Sequence, residues 1–333
     1  MKPKRTTHLL DAALRSTCWL LVPLLMMVAT GCARTQDAEP ARTIPYEQLY
    51  AYDRELPLQA EVKEQQRGSG FVIYRVQYNS VHDKRVPAWW CLPTSGTSPY
   101  PCLIIMHGYG GDKNGLQMLA PAFAARGIAT FAIDAEYHGD RKQPGSDILG
   151  AYIYRNRDAL RQTVIDLRRA IDFLQSRREI DAKRIGYIGL SMGGILGGIL
   201  AGVDERVQAP ILIVAGGDWG YLFAKSQHPA AAQLRQKQPE LFNNPQKVNE
   251  VLGPVDPVNW VGRISPRPLL MINGKDDQIV PKECTERLFA AAKQPKEIVW
   301  LEGGHLPQPD AVLRTVDEWL NKHLLAPGQS GAN

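Results

Sequence analysis

Short apolar runs rich in β-branched residues recur along the middle of the chain, with helical segments between them. They are Cys102–Met106, Ile128–Ile133, Arg184–Ile188, Ile211–Ala215, Pro268–Ile272 and Glu297–Leu301. Runs this brief and this continuous suit strands buried on both faces. Strands that alternate with helices need crossover connections, which predicts a mostly parallel sheet with helices on both sides. The clearest helix is predicted over Asp158–Leu174, where Leu160, Val164, Leu167, Ile171 and Leu174 recur at steps of four and three. That spacing draws one apolar stripe along a helix face. Ahead of the runs, Gly70–Ser80 and Lys84–Pro93 read as an antiparallel hairpin. The expected fold class is therefore α/β.

The two ends and one interior stretch break the rhythm. Residues 1–31 read as an export signal: a basic start is followed by an apolar stretch, Cys18–Thr30, too short for the roughly 20 residues a spanning helix needs. The sequence Ala29-Thr30-Gly31-Cys32 resembles a bacterial lipobox, which implies acylation of Cys32, a membrane lipid anchor and export to the periplasmic or cell-surface side. Residues 32–43 read as a tether, 44–326 as the folded domain and 327–333 as a polar tail. Within the domain, residues 218–263 separate two strands and are rich in Gln, Pro, Asn and Lys; we expect a small, partly helical lid there. The formal charge of the whole chain is +5, and the first 31 residues carry four basic groups and one acid, so the remainder stands at +2. So small an excess gives no reason to expect a nucleic-acid partner. Cys91, Cys102 and Cys284 have no metal-ligand spacing; the first two admit either a cross-strand disulfide or the role of small buried hydrophobes.

Gly189-Leu190-Ser191-Met192-Gly193 is a G-x-S-x-G sequence set between the run ending at Ile188 and a glycine-rich apolar helix, Gly193–Gly202. A strand leading through such a turn into a helix presents a serine at the helix N-terminus, where free N–H groups and the positive end of the helix dipole favour a developing oxyanion. A serine hydroxyl needs a base, and the base needs an orienting acid. Two carboxylates, Asp276 and Asp277, follow the run Pro268–Ile272; Gly303-Gly304-His305 follows Glu297–Leu301. His107-Gly108-Tyr109-Gly110-Gly111 follows Cys102–Met106, and Asp134-Ala135-Glu136-Tyr137-His138-Gly139-Asp140-Arg141 follows Ile128–Ile133.

These motifs, spread over roughly residues 60–325, resemble the α/β-hydrolase superfamily in kind and order. HGYGG, YHGDR, GLSMGG and ISPRPLLMINGKDDQIVP are similar to its dienelactone hydrolase, acetyl-xylan esterase and prolyl-oligopeptidase-like branch. The resemblance implies Ser191 as nucleophile, His305 as base, and Asp277 as acid with Asp276 as its rival. It also implies the backbone N–H groups of Tyr109 and Met192 as the oxyanion hole, with His107 a loop brace. It implies a structural turn at Asp134–Arg141, with Tyr137, Asp140 or Arg141 facing substrate as the alternative. Dienelactone hydrolases carry a cysteine where this chain has Ser191, and haloalkane dehalogenases an aspartate, so neither chemistry is expected. The expected activity is a serine carboxylesterase or deacetylase on small or carbohydrate esters. A serine peptidase and a non-catalytic binding module are the other readings. No cofactor and no metal are implied, and the oligomeric state stays open. Trp219 is the expected substrate contact; with Tyr221, Phe223 and Trp260 it lines the pocket or fills the lid's core.

Overall fold

The computed structural model describes residues 45–325. The export signal, Cys32, the tether and the polar tail expected from the sequence lie outside them. Nine strands form one sheet: β1 (Glu61–Gly68), β2 (Phe71–Asn79), β3 (Arg85–Pro93), β4 (Tyr100–Met106), β5 (Ala129–Ile133), β6 (Ile180–Leu190), β7 (Val207–Ile213), β8 (Leu269–Gly274) and β9 (Lys296–Leu301). Their spatial order is β1-β2-β3-β5-β4-β6-β7-β8-β9. The first three pair antiparallel, β3 meets β5 antiparallel, and all pairs from β5 onward are parallel. This is the α/β-hydrolase fold. Every residue of β4 is buried, as an uninterrupted apolar run demands once helices cover both faces.

Among the described residues, ten α-helices accompany the sheet. α1 (Lys113–Gln117) and α2 (Ala120–Ala125) precede β5, α3 (Ile153–Gln175) precedes β6, and α4 (Met192–Val203) follows it. α5 (Trp219–Lys225), α6 (Pro229–Lys237), α7 (Pro239–Phe242) and α8 (Pro245–Leu252) make up most of the insertion after β7, and α9 (Lys282–Ala291) and α10 (Pro309–Leu320) follow β8 and β9. Phe123 of α2 packs with Val316, Trp319 and Leu320 of α10 in one apolar cluster, while α3, α4 and the insertion share another. α4 is buried along almost its whole length because its glycines let it sit against the sheet. A Cβ at Gly197 would stand 2.2 Å from the Tyr187 ring.

Two differences from the sequence expectation have physical causes. β1 was not expected: Glu61–Gly68 is polar but for Val62 and Gly68, and seven of its eight residues are exposed, so no alternation marks it, and only its ladder to β2 makes it a strand. β7 begins and ends earlier than Ile211–Ala215, because the register shifts near Ala209 and the chain turns at Val214, both at positive φ. The insertion is a string of helices. Its prolines stand at the helices' first turns, at Pro229, Pro239, Pro245 and Pro257, where a missing N–H costs nothing. Cys91, Cys102 and Cys284 are free and buried, and burial pushes the Cys91 thiol up to about 12. No helix among the described residues is long and apolar enough to cross a membrane.

Candidate active site

β6 delivers the chain into a sharp turn at its C-terminal end. Ser191 sits there at φ 54°, ψ −115°, a conformation L-residues rarely adopt, and α4 starts with the next residue. The two glycines flanking the turn are sterically required: a Cβ at Gly189 would lie 2.2 Å from the Gly193 carbonyl oxygen, and one at Gly193 would lie 2.4 Å from that of Met106. The Ser191 N–H donates to the Ile213 carbonyl at 2.8 Å, fixing the strained residue to the neighbouring strand end.

His305 and Asp277 arrive from the ends of β9 and β8. The Ser191 hydroxyl lies 2.9 Å from His305 Nε2, and His305 Nδ1 lies 2.8 Å from Asp277 Oδ2. The other carboxylate oxygen of Asp277 accepts the N–H groups of Ile279 and Val280 at 2.8 and 2.9 Å. A carboxylate facing Nδ1 fixes the proton there and leaves Nε2 free to accept from the serine. Asp276, the rival acid, has an exposed side chain; its N–H instead donates to the Gly303 carbonyl and ties the two loops together. Gly274 permits that approach, since a Cβ there would fall 2.0 Å from the Gly304 carbonyl oxygen.

The loop after β4 runs beside the turn, and a Cβ on Gly108 would stand 3.3 Å from the Leu190 carbonyl oxygen. Two histidines hold this loop. His107 Nε2 accepts the Ala135 N–H at 3.1 Å, so its Nδ1 carries the proton and donates to the Gly108 carbonyl at 2.8 Å. Burial holds the His107 pKa below its ordinary value and keeps the ring neutral. His138 Nε2 accepts the Gly110 N–H at 3.2 Å. The Tyr109 N–H has no acceptor among the described residues, and the Met192 N–H belongs to the first turn of α4, which has no intrahelical partner. The Tyr109 hydroxyl donates to Asp147 at 2.7 Å.

The Asp134–Arg141 segment proves to be an ionic brace under this loop. Lys113, fully buried, bridges Asp134 at 2.7 Å and Asp140 at 2.9 Å, while Arg141 engages Glu136 and also Asp166 at 2.7 Å. Asp140 and Arg141 are thus held in ion pairs, and neither lines the pocket that opens beside Ser191. Nothing in the sequence around Lys113 signalled its partnership, because the partners lie on a different turn. No cluster of three or more metal-ligating side chains occurs among the described residues.

Next to Ser191 opens a pocket with about 40 Å³ of free space, walled by Met192, Ile195, Leu222, Phe223 and Val280, with Tyr109 and His228 among its polar members. Trp219 lines it but is itself almost fully buried, its indole N–H donating to the Val255 carbonyl at 2.7 Å. It is therefore both pocket wall and core of the insertion. Trp260 is core alone: it packs edge-on against Tyr50 at 5.0 Å, away from the pocket. Tyr221 lies under the Arg287 guanidinium at 4.2 Å and does not line the pocket. Leu222 and His228 were missed by the sequence, where no motif surrounds them, and Val280 stands inside the ISPRPLLMINGKDDQIVP stretch without having been given a role.

The acetyl xylan esterase (AXE1) family model matches residues 46–322. Among curated proteins, the chain is 29% identical over 233 residues to an uncharacterized protein of Mycobacterium tuberculosis (strain ATCC 25618 / H37Rv), covering 66% of this chain and 68% of that one. It is 24% identical over 233 residues to the uncharacterized protein YfhR of Escherichia coli (strain K12), covering 69% and 72%. Among solved structures, acetyl xylan esterase 1 from Thermoanaerobacterium sp. JW/SL YS485 superposes with a TM-score of 0.71 at 22% identity, covering 83% of this chain and 92% of that one. The acetyl xylan esterase of Paenibacillus sp. R4 does so with 0.68 at 24% identity, covering 82% and 92%. At these identities the likeness to the solved structures shows the fold.

Proposed function

The chain belongs to the acetyl xylan esterase family and is a carboxylic ester hydrolase, and from that premise we propose that Ser191, His305 and Asp277 remove short acyl groups, acetate foremost, through an acyl-enzyme. The observation that carries this reading is the unbroken chain from Ser191 Oγ through His305 to a buried Asp277, with links of 2.9 and 2.8 Å, at the N-terminus of α4. Ser191 Oγ attacks the ester carbonyl while His305 Nε2 takes its proton. The oxyanion that forms is received by the N–H groups of Tyr109 and Met192, and each such donor contributes about 3–4 kcal/mol to the transition state. His305, its charge stabilised by Asp277, then protonates the leaving alcohol. Water repeats the sequence on the acyl-enzyme with the same base.

The pocket sets the acyl length. Free space of about 40 Å³ holds roughly three water-sized groups, which suits the methyl and carbonyl of an acetyl group and little beyond. Across 4-nitrophenyl esters from acetate to octanoate, kcat/KM is expected to fall by roughly 100-fold, since each methylene without room meets packed apolar side chains. A flat series would sink the small-pocket reading, and no turnover at any length would sink the esterase mechanism. Acetylated carbohydrates, the substrate class in the names of the two solved enzymes, are the acetate esters to try next.

Location is a separate proposal. The apolar stretch and Cys32 support an exported lipoprotein held on a membrane by acyl chains, each buried methylene contributing about 0.8 kcal/mol. Cys32→Ser is expected to shift the protein from the membrane fraction to the soluble fraction. Continued sedimentation with membranes would remove the anchor from this account.

A further inference from the structure

A second cavity lies at the far end of α4. The helix starts beside Ser191 and ends at Val203, and at about 1.5 Å per residue it separates its two ends by about 18 Å. At that far end Gly202 and Val203 meet a pocket of about 350 Å³ whose charged walls are Arg54, Arg168, Arg206, Arg263 and Arg267, with Asp204 and Glu205. Behind the wall, Asp172 pairs with Arg54, Arg169 and Arg206, and Glu47 pairs with Arg263. Six guanidiniums thus share four carboxylates among the described residues, an excess of two positive charges.

The guanidiniums are held in place. Arg206 donates to Asp172 and to Asp204 at 2.6 Å each. Arg168 donates to Asp204 at 3.1 Å and lies over the Tyr52 ring at 4.8 Å, and Arg263 lies over the Trp260 ring at 5.0 Å. Arg267 differs, having no carboxylate partner among the described residues. Its Nη groups donate to the carbonyls of Ala201, Val207 and Asp204 at 2.6, 2.7 and 3.1 Å, and to that of Arg263 at 3.4 Å. Burial lowers its pKa, against weaker opposite pulls from Asp204 and Glu205. Two donors stay unused: Arg168 Nη2 and Arg267 Nε have no acceptor among the described residues, and neither is sealed from solvent.

Guanidiniums keep their charge and offer paired N–H groups to the oxygens of an anion. Several of them around one cavity fit an anion with several oxygens, and an excess of two charges fits a dianion. We propose that this cavity binds a phosphate dianion, free or as the head of a phosphomonoester, at a site separate from the esterase centre. Two sources share that chemistry. The 3-10 turn Tyr46–Tyr50 brings Glu47 to Arg263 at the rim. Cys32 stands 15 residues before Glu47, a stretch of chain that spans at most roughly 50 Å. A phosphorylated lipid headgroup is therefore within reach of a chain anchored at Cys32, and a soluble phosphomonoester is the other source.

Titration calorimetry of the full chain with inorganic phosphate, at constant ionic strength and mildly alkaline pH where phosphate is a dianion, reads the site directly. The wild type is expected to bind one phosphate per chain. Arg54 and Arg263 are exposed, and replacing both with Gln should weaken binding roughly tenfold. Turnover of 4-nitrophenyl acetate should stay within about twofold in that double variant, because the site is remote from Ser191. Glu205→Gln removes a carboxylate from the wall and should tighten binding roughly threefold, a direction that a misfolded chain does not produce. Arg67→Gln removes the same charge from β1 and should leave the affinity unchanged. Absence of phosphate binding in the wild type overturns the proposal, as does a loss in the Arg67 variant equal to that in the double variant. Vesicles of phosphatidylcholine with about one-fifth phosphatidic acid, mixed with the Cys32→Ser chain, then separate the sources. Sedimentation with these vesicles but not with pure phosphatidylcholine, reversed by free phosphate, assigns the site to a lipid headgroup. Phosphate binding without sedimentation assigns it to a soluble phosphomonoester.

Discussion

Ser191→Ala is expected to lower kcat on 4-nitrophenyl acetate by roughly 10⁵-fold or more, with the melting temperature within a few degrees of wild type. The rate loss follows from chemistry: among the described residues Ser191 carries the hydroxyl bonded to His305 Nε2, and what survives its removal comes from the backbone donors and the pocket. The small change in stability follows from what the substitution leaves alone. Alanine keeps the Cβ and so is no more strained at φ 54° than serine. The Ser191 N–H to Ile213 carbonyl bond is a backbone contact and persists. A fully active variant would remove Ser191 from the mechanism, while an inactive and unfolded one would make it a structural residue.

Asp277→Asn should cost nearly as much, about 10⁴-fold in kcat, and its neighbour provides the control. One oxygen of Asp277 accepts two backbone N–H groups, so an asparagine there keeps its carbonyl on that side and turns its amide N–H group toward His305. Nδ1 must then accept rather than donate, the ring proton moves to Nε2, and the base can no longer take the serine proton. Asp276→Asn changes an exposed side chain and is expected to leave kcat within about twofold. If both substitutions reduced kcat alike, the acid would not be fixed at Asp277, and the tautomer argument would fail.

The contrast between these two aspartates also marks what the chain discloses without coordinates. The sequence puts both carboxylates after β8, but one-residue resolution requires knowing which one faces inward, a matter of loop backbone and not of composition. Strands buried on both faces were legible because burial dictates an unbroken apolar run, as in β4. β1 was illegible because nothing about its residues needs burial. Ser191, His305 and the loop at Tyr109 stood out through glycines, whose necessity the structure explains at Gly189, Gly193 and Gly274. Lys113 and His228 had no such flag: each takes its meaning from partners brought near by the fold. Trp219 and Trp260 illustrate the limit from the other side. They are the same residue type in the same insertion, and they part company only because α5 faces the pocket and the turn at Trp260 faces Tyr50.

β1 carries one further consequence. A terminal strand offers an open row of N–H and C=O groups to any chain that can lie alongside it, including another copy of this protein. Here that row is flanked by side chains of both signs in close succession, with Glu64 paired to Arg67 at 2.6 Å and Glu61 to Arg85 at 2.6 Å. An incoming strand would have to strip water from these ions to gain its backbone bonds, and a second β1 laid against the first would bring like charges together in many registers. The polarity that hid this strand from the sequence is therefore what lets the sheet stop, and it is a reason for the protein to stay dispersed at high concentration.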